Sequence, residues 1–346
     1  MVAGVRDAGG VLPPPARMAD IAQHAGVSEA TVSRVLNGKS GVAAATRQKV
    51  LAALDVLGYE RPTRLRQRSS GLVGLVIPEL TNPIFPAFAQ VIEQVLVRSG
   101  YTPVLCTQSP GGATEDELVE QLVDRGVTGI IFLSGLHADT TADPERYARL
   151  TGRGVPFVLI NGFNPAIKAP FVSPDDAAAT RRAVQHLRAL GHRDIGLAVG
   201  PHRFVPTQRK VAGFLDETGG QGAVRHTLFS VEGGQAAAAA LLDAGCTGIV
   251  CGSDMMALGA VRAVRQRGLE VPDDISVVGY DDSHLFAFTD PPLTTLRQPV
   301  RAMTSAAVNS LLEEINGNLV QHTEFVFQPE LVVRGSTATP RDTRLP

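Results

Sequence analysis

Hydrophobic and polar positions fall into two regimes that meet near residue 70. Before it, apolar side chains recur at helical spacing in three short runs. MADIAQHA sets Ile21, Ala22 and Ala25 inward, and Gly26 follows where a helix commonly stops in a left-handed residue. Ser28 stands at an N-cap position before EATVSRVLN, in which Val32, Val35 and Leu36 share one face and Glu29, Ala30, Ser33, Arg34 and Asn37 share the other. TRQKVLAALDVLGY places Val50, Ala53, Leu54 and Leu57 on one face, with Thr46 as the expected cap and Gly58 as the stop.

Beyond residue 70 short apolar runs alternate with amphipathic ones. LVGLVIP, YTPVLCT, VTGIIFLSG and VPFVLING read as buried strands. Between them, IFPAFAQVIEQVLVRSG turns Phe88, Val91, Ile92, Val95 and Leu96 inward, and ATEDELVEQLVDRG forms a second helix. The alternation restarts at a helix expected to be capped by Ser173, with Pro174 in its first turn and Asp176 three residues on. DIGLAVG, QRKVAGFLDE, CTGIVCGS, a helix from Ser253 to Arg267 and DISVVGYDD follow. The expected fold is a small all-α head joined to an α/β body of two doubly wound parallel-sheet subdomains. Such sheets hold ligands at the carboxyl ends of their strands, in the cleft between halves.

Charge sharpens this division. The 346-residue chain carries a net charge of −2, yet residues 16–68 hold nine Lys/Arg against four acids, leaving −7 on residues 69–346. A basic head on an acidic body is the footprint of a nucleic-acid module joined to something else. The head's first two helices, joined by a tight glycine-containing turn and braced by a third, have the form of a helix-turn-helix, whose second helix enters the DNA major groove. The plainer alternative is a ligand-free three-helix bundle. Against it stands a surface helix bearing hydroxyls, an amide and an arginine, the groups that bind phosphates and base edges.

AGVSEATVSRVLNG resembles the DNA-binding signature of the lactose-repressor/galactose-repressor (LacI/GalR) family, and TRQKVLAALDVLGY its third helix. LVGLVIPELTNPIF, ALGHRDIGLAVG, QRKVAGF, SDMMALGAVRAV, VPDDISVVGYDDS and PPLTTL resemble landmarks of the family body, so the likeness spans roughly residues 17–335. The resemblance implies a body similar to periplasmic sugar-binding proteins, crossed by three chain segments. The division it suggests is a disordered tail over 1–16, the DNA-binding head over 17–59, a hinge over 60–71, an effector-binding and dimerisation body over 72–335 and a flexible tail over 336–346. Within the body, about 71–172 with 298–324 would form one subdomain, and 173–297 with 325–335 the other.

By the same resemblance Glu29, Ala30 and Arg34 occupy base-reading positions, while Ser28, Thr31, Ser33, Asn37 and Thr46 are placed for phosphate or capping contacts. Arg34 can bind guanine O6 and N7 with two hydrogen bonds. Glu29 can accept from cytosine N4 or simply complement the helix dipole. The effector positions implied are Asn82, Phe85, Asn161, Arg209, Ser253, Asp254 and Asp281. Arg209 and Asp281 are expected to clamp vicinal hydroxyls, with Phe85 or Phe204 as a stacking face; a salt bridge across the cleft is the alternative for that pair. The implied partners are double-stranded operator DNA of pseudo-palindromic form, a small-molecule effector of carbohydrate type or else a purine or nucleoside, and a second copy of the chain in a homodimer.

Other chemistry finds little support in the sequence. The eight histidines show no HxxxH or paired Cys/His spacing, and neither a Walker A motif nor a Gly-x-Ser-x-Gly elbow occurs, so no metal, cofactor or enzymatic activity is expected. GGAT before the 114–125 helix reads as loop plus N-cap. Cys106, Cys246 and Cys251 lie in apolar runs as reduced thiols. No run approaches 18 apolar residues, and VRDAGGVLPPPAR lacks the core of a signal peptide. A cytoplasmic regulator is therefore expected rather than a transporter's solute receptor. ERPTRLRQRSSG departs from the family hinge: Pro62 is kept, but Thr63, Arg66 and Ser69 stand where the family carries Asn, Ala and Leu. Either Leu65 wedges the minor groove from another register, or Arg64 and Arg66 bind phosphates or a narrow groove.

Overall fold

The computed structural model describes residues 17–36, 41–57, 59, 70–108 and 111–341. These form two compact units, Met1–Arg68 and Ser69–Pro346. In the first, α1 (Met18–Ala25), α2 (Glu29–Leu36) and α3 (Ala44–Val56) close on Ile21, Ala22, Val32, Val35, Val50 and Ala53. Gly26 ends α1 at φ +66, its amide reaching the Ala22 and Gln23 carbonyls, as the left-handed stop requires.

The second unit contains two six-stranded sheets. The first runs in the order β11-β5-β4-β3-β1-β2. Its strands are β1 (Gly71–Ile77), β2 (Tyr101–Thr107), β3 (Gly129–Leu133), β4 (Phe157–Ile160), β5 (Phe171–Pro174) and β11 (Glu324–Phe327), paired in parallel throughout. Because side chains alternate along a strand, Leu75, Ile77, Ile131 and Leu133 face α4 (Ile84–Arg98) and α11 (Val300–Ile315). Val76, Ile130 and Phe132 face α5 (Glu115–Asp124) and α6 (Glu145–Gly152). Burial on both faces explains why these strands read as unbroken apolar runs.

The second sheet repeats the plan in the order β12-β10-β9-β8-β6-β7. It comprises β6 (Ile195–Val199), β7 (Ala223–His226), β8 (Gly248–Cys251), β9 (Ser276–Asp281), β10 (Thr294–Arg297) and β12 (Glu330–Val332). Its pairs are parallel, as the alternation of strands and helices predicts, except that the edge strand β12 is antiparallel to β10. α7 (Asp176–Ala189) and α8 (Val205–Thr218) cover one face, and α9 (Val231–Asp243) with α10 (Asp254–Gln266) the other.

Three segments cross between the lobes, as expected: β5 to α7, β10 to α11, and β11 to β12. Their positions differ from the sequence reading. β11 pairs with β5 from Glu324↔Phe171 through Phe327↔Pro174, so the first lobe runs to residue 174 and resumes as far as Phe327, rather than ending at 172 and 324. Ser173 and Pro174 thus belong to a strand, and Asp175 caps α7 by accepting from the Ala178 amide at 2.9 Å. The second lobe also continues past residue 335. Ser336 is fully buried, exchanging hydrogen bonds with Val277 and Thr294, Ala338 O accepts from the Ser276 hydroxyl at 3.1 Å, and Arg341 pairs with Asp273 and Asp274. Residues 336–341 are therefore part of the fold, not a tail.

Candidate functional site

In the head, α2 has the two faces its pattern predicts. Val32 and Val35 are buried, Thr31 and Ser33 are half-buried, and Glu29, Ala30 and Arg34 are exposed. The Ser28 hydroxyl accepts from the Thr31 amide at 3.3 Å and lies 3.0 Å from the Thr31 hydroxyl, so Ser28 opens the helix as expected. Thr46 does not cap α3. That helix begins two residues earlier, after Ala43, because Ala44 and Ala45 favour helix strongly enough to extend it; Thr46 sits half-buried in the first turn. Asn37, Gly58, Arg64, Leu65 and Arg66 lie outside the described residues.

In the body, the predicted effector residues gather at the carboxyl ends of the strands. In the first lobe, Asn82 follows β1, nearly buried, and its Oδ1 accepts from the Ile84 amide at 3.3 Å. Phe85 starts α4, half-buried. Asn161 follows β4 at φ +71 and donates from Nδ2 to the Ser134 hydroxyl at 2.6 Å; Ser134, at φ +49, follows β3. In the second lobe Phe204 occupies the N-cap of α8, 6.3 Å from the Phe229 ring and 4.7 Å from the Arg203 guanidinium. Ser253 caps α10 through the Met256 amide at 3.2 Å. Asp281 ends β9 at φ +115, and Asp282 follows at +56. Four non-glycine residues in left-handed geometry at strand ends mark backbone held away from its easy conformations, as is common at ligand sites.

Asp254 and Asp281 form the electrostatic centre of the second lobe. Asp254 accepts from Thr295 Oγ1 at 2.6 Å and the Ser283 amide at 2.9 Å, and is almost fully buried. Burial pushes its carboxyl up to about 7; the bonds from Thr295 and Ser283 pull it down, and Asp282 raises it again. Asp281 is also buried, and desolvation with the nearby Asp254 charge holds its carboxyl well above the ordinary range. Gln298, on the β10–α11 crossover, donates Nε2 to Asp281 Oδ1 at 2.7 Å. Gln298 Oε1 is buried without a partner among the described residues, an acceptor that a ligand hydroxyl would satisfy. Asp282 instead takes Arg297 and Arg334 at 2.6 Å each.

Arg209 and Asp281 do not pair with each other, so the alternative salt bridge between them does not form. Arg209 makes a bidentate pair with Glu324, at 2.6 and 2.9 Å, tying α8 to β11 of the other lobe. The cause is helical geometry: consecutive residues on α8 point about 100° apart, and the face turned inward holds Thr207, Lys210, Gly213 and Phe214. Lys210 therefore reaches the buried Asp176 carboxylate and sits 3.9 Å over the Tyr280 ring, while Tyr280 Oη donates to Asp176 at 2.8 Å. The sequence pattern did not single out Lys210, Tyr280 or Gln298, and marked Asp176 only as part of a helix start. The first was findable, since Lys210 falls at helical spacing with Thr207 and Phe214.

A helix-turn-helix head and a two-lobed body with polar groups at facing strand ends define a ligand-responsive DNA-binding protein. Comparison with known proteins specifies which. Residues 17–62 match the profile "Bacterial regulatory proteins, lacI family", and residues 184–337 match "Periplasmic binding protein-like domain". An "Uncharacterized HTH-type transcriptional regulator in aml 5'region" of Streptomyces limosus is 72% identical, covering 93% of this chain and 94% of its own. The "HTH-type transcriptional regulator MalR" of Streptomyces coelicolor is 68% identical over 93% and 97%. Among solved structures, a transcriptional regulator CelR–cellobiose complex superposes with a TM-score of 0.69 at 31% identity, covering 93% of this chain and 99% of that one. A lac repressor dimer bound to operator and the anti-inducer ONPF gives 0.68 at 30% identity, covering 94% and 100%. The chain belongs to the LacI family of bacterial transcriptional regulators.

Proposed function

We propose that this protein is a homodimeric repressor whose operator affinity is set by a carbohydrate bound between the lobes of its body. The observation that carries the reading is the joining of an exposed, polar recognition-helix face to a body whose strand ends present amides, hydroxyls, carboxylates and aromatic rings together. Carbohydrates offer dense hydroxyls and apolar ring faces, which Asn82, Asn161, Asp281 and the Phe85, Phe204 and Phe229 rings match. Cellobiose in the CelR complex and ribose in an Enterococcus faecium regulator of the same family support this class. Glu29, Ala30 and Arg34 read bases, with Ser28, Thr31, Ser33 and Asn37 on the backbone and Arg64, Leu65 and Arg66 in the hinge.

One short helix reads few base pairs, so two copies on a pseudo-palindromic operator are required for selectivity. The exposed Leu285 and Phe288, at 65% and 75% accessible on the turn after β9, supply apolar surface for that association. Gel shifts on genomic fragments with increasing salt test DNA reading, and failure to prefer any fragment over random DNA at physiological salt would sink it. A thermal-shift screen against sugars, sugar acids and nucleobases tests the effector class; stabilisation by a nucleobase alone would overturn the carbohydrate.

A further inference from the structure

The two lobes touch at a point away from their crossovers. Asp139 and Thr140 lie in the loop after β3, in the first lobe; Arg203 and Phe204 lie between β6 and α8, in the second. Arg203 Nε donates to Asp139 Oδ2 at 2.8 Å. The Thr140 amide and hydroxyl both donate to the Arg203 carbonyl, each at 2.8 Å, and Asp139 and Phe204 face each other as an isolated antiparallel bridge. Main chain and side chain thus bond across the gap in a miniature strand pairing.

Each side is stiffened from within. Asp139 is nearly buried, and its second oxygen accepts from the Thr141 amide and hydroxyl at 2.9 and 2.7 Å. Behind it, Glu115 accepts from the Leu136 amide at 2.9 Å and from Tyr147 Oη at 2.7 Å, and Tyr147 Oη accepts from the His137 amide at 2.8 Å. Across the gap, the Arg203 guanidinium rests on the Phe204 ring.

Its place in the sheets gives the contact leverage. The crossovers meet the first sheet's lobe at β5, β11 and α11 and the second's at α7, β10 and β12, so the strands among them lie at one edge of each sheet. β3 stands two strands from β5, and β6 three from β10, so the contact lies roughly 10–14 Å from the crossing edge. Opening about the crossovers must separate it.

We propose that Asp139, Thr140 and Arg203 form a latch that holds the effector cleft shut on the side away from the crossovers, so that a ligand enters only while the latch is undone. It closes the cleft whatever the effector is, so its failure would leave the regulator reading standing, and the converse holds.

Hydrogen–deuterium exchange of residues 139–142 in the full-length protein reads this directly, because the Thr140 amide bonds across the cleft. Arg203→Ala is expected to speed exchange there about tenfold, as the loss of a charge-assisted bond can, with Arg203→Lys restoring part of it. Arg153→Ala breaks an ion pair with Glu120 inside the first lobe and should leave residues 139–142 unchanged. Wild-type exchange in Arg203→Ala, or equal acceleration in both variants, would overturn the latch. Should Arg203→Ala misfold, seen as fast exchange in β6 and β8, the double variant Asp139→Cys/Phe204→Cys decides: a disulfide that slows exchange in the loop below wild type supports the latch, and no cross-link under oxidation refutes it.

Discussion

At the scale of single residues, the second lobe stores two opposite electrostatic situations within one fold. Lys210 and Asp176 are both buried, and the lysine also covers the Tyr280 ring. Replacing Lys210 with Met strands a buried carboxylate beside a tyrosine hydroxyl, so unfolding free energy should drop by roughly 3 kcal/mol or more, read from denaturant midpoints; a drop below about 1 kcal/mol would mean water reaches Asp176. Asp254 is the reverse case, a buried carboxyl that accepts from a hydroxyl and a backbone amide rather than from a cation. Its ordinary value of 3.8 is pushed up to about 7, so the folded protein holds a proton there that the unfolded chain has released. The unfolded state then binds fewer protons across that interval, and the group's contribution to stability is present below pH 3.8 and lost as pH rises through 7. Asp254→Asn should flatten the fall in melting temperature over this window, and parallel profiles for wild type and variant would contradict it. At this scale the sequence placed its candidates at strand ends and left their hydrogen-bond partners open. Asn82, Asn161 and Asp281 follow apolar runs that end visibly, but which of Arg209 and Lys210 turns inward depends on helix phase, and Asp176, Tyr280 and Gln298 reach the site only through tertiary packing.

At the scale of elements, close helix contacts set limits that periodicity does not reveal. A Cβ at Gly259 would lie 2.0 Å from the Val231 carbonyl oxygen, and one at Gly213 would lie 2.2 Å from that of Ala177. Both glycines sit mid-helix, where alanine ordinarily adds up to about 1 kcal/mol of helix stability. Here the sign inverts, because the obstructing atom is backbone and the paired helices must part: Gly259→Ala should cost about 2 kcal/mol, and an unchanged melting temperature would show that α9 and α10 can separate freely. Strands and helices were legible because both faces of each sheet are covered, which makes the strands continuously apolar. Their ends were less so. Thr114 caps α5 in a full capping box with Glu117, as GGAT suggested, yet Asp175 displaced Ser173 as a cap because β11 draws residues 173 and 174 into the sheet. The segment GSTATP has no apolar rhythm, and its place in the second lobe rests on hydroxyl and backbone bonds that leave no trace in hydropathy.

At the scale of the whole molecule, the charges are sorted: nine basic residues against four acids over 16–68, and a net −7 beyond. The acidic body opposes loose attachment to a polyanion, so affinity for DNA must come from the head and hinge, and it must weaken steeply as salt rises. Base reading and phosphate attraction respond differently to salt. Arg34, exposed on the polar face of α2, offers two donors to a guanine edge. Arg34→Ala should therefore cost about 1–3 kcal/mol on the preferred fragment and almost nothing on random DNA, with the slope of log affinity against log salt kept within about 1 of wild type. Arg64→Ala and Arg66→Ala should weaken both DNAs alike and lower that slope by about 1 apiece if the hinge meets phosphates, whereas Leu65→Ala should act on the preferred fragment alone if it wedges between base pairs. Equal losses on both DNAs for Arg34→Ala would move it from base reader to backbone contact, and specificity would then have to be sought in Glu29 and the hinge.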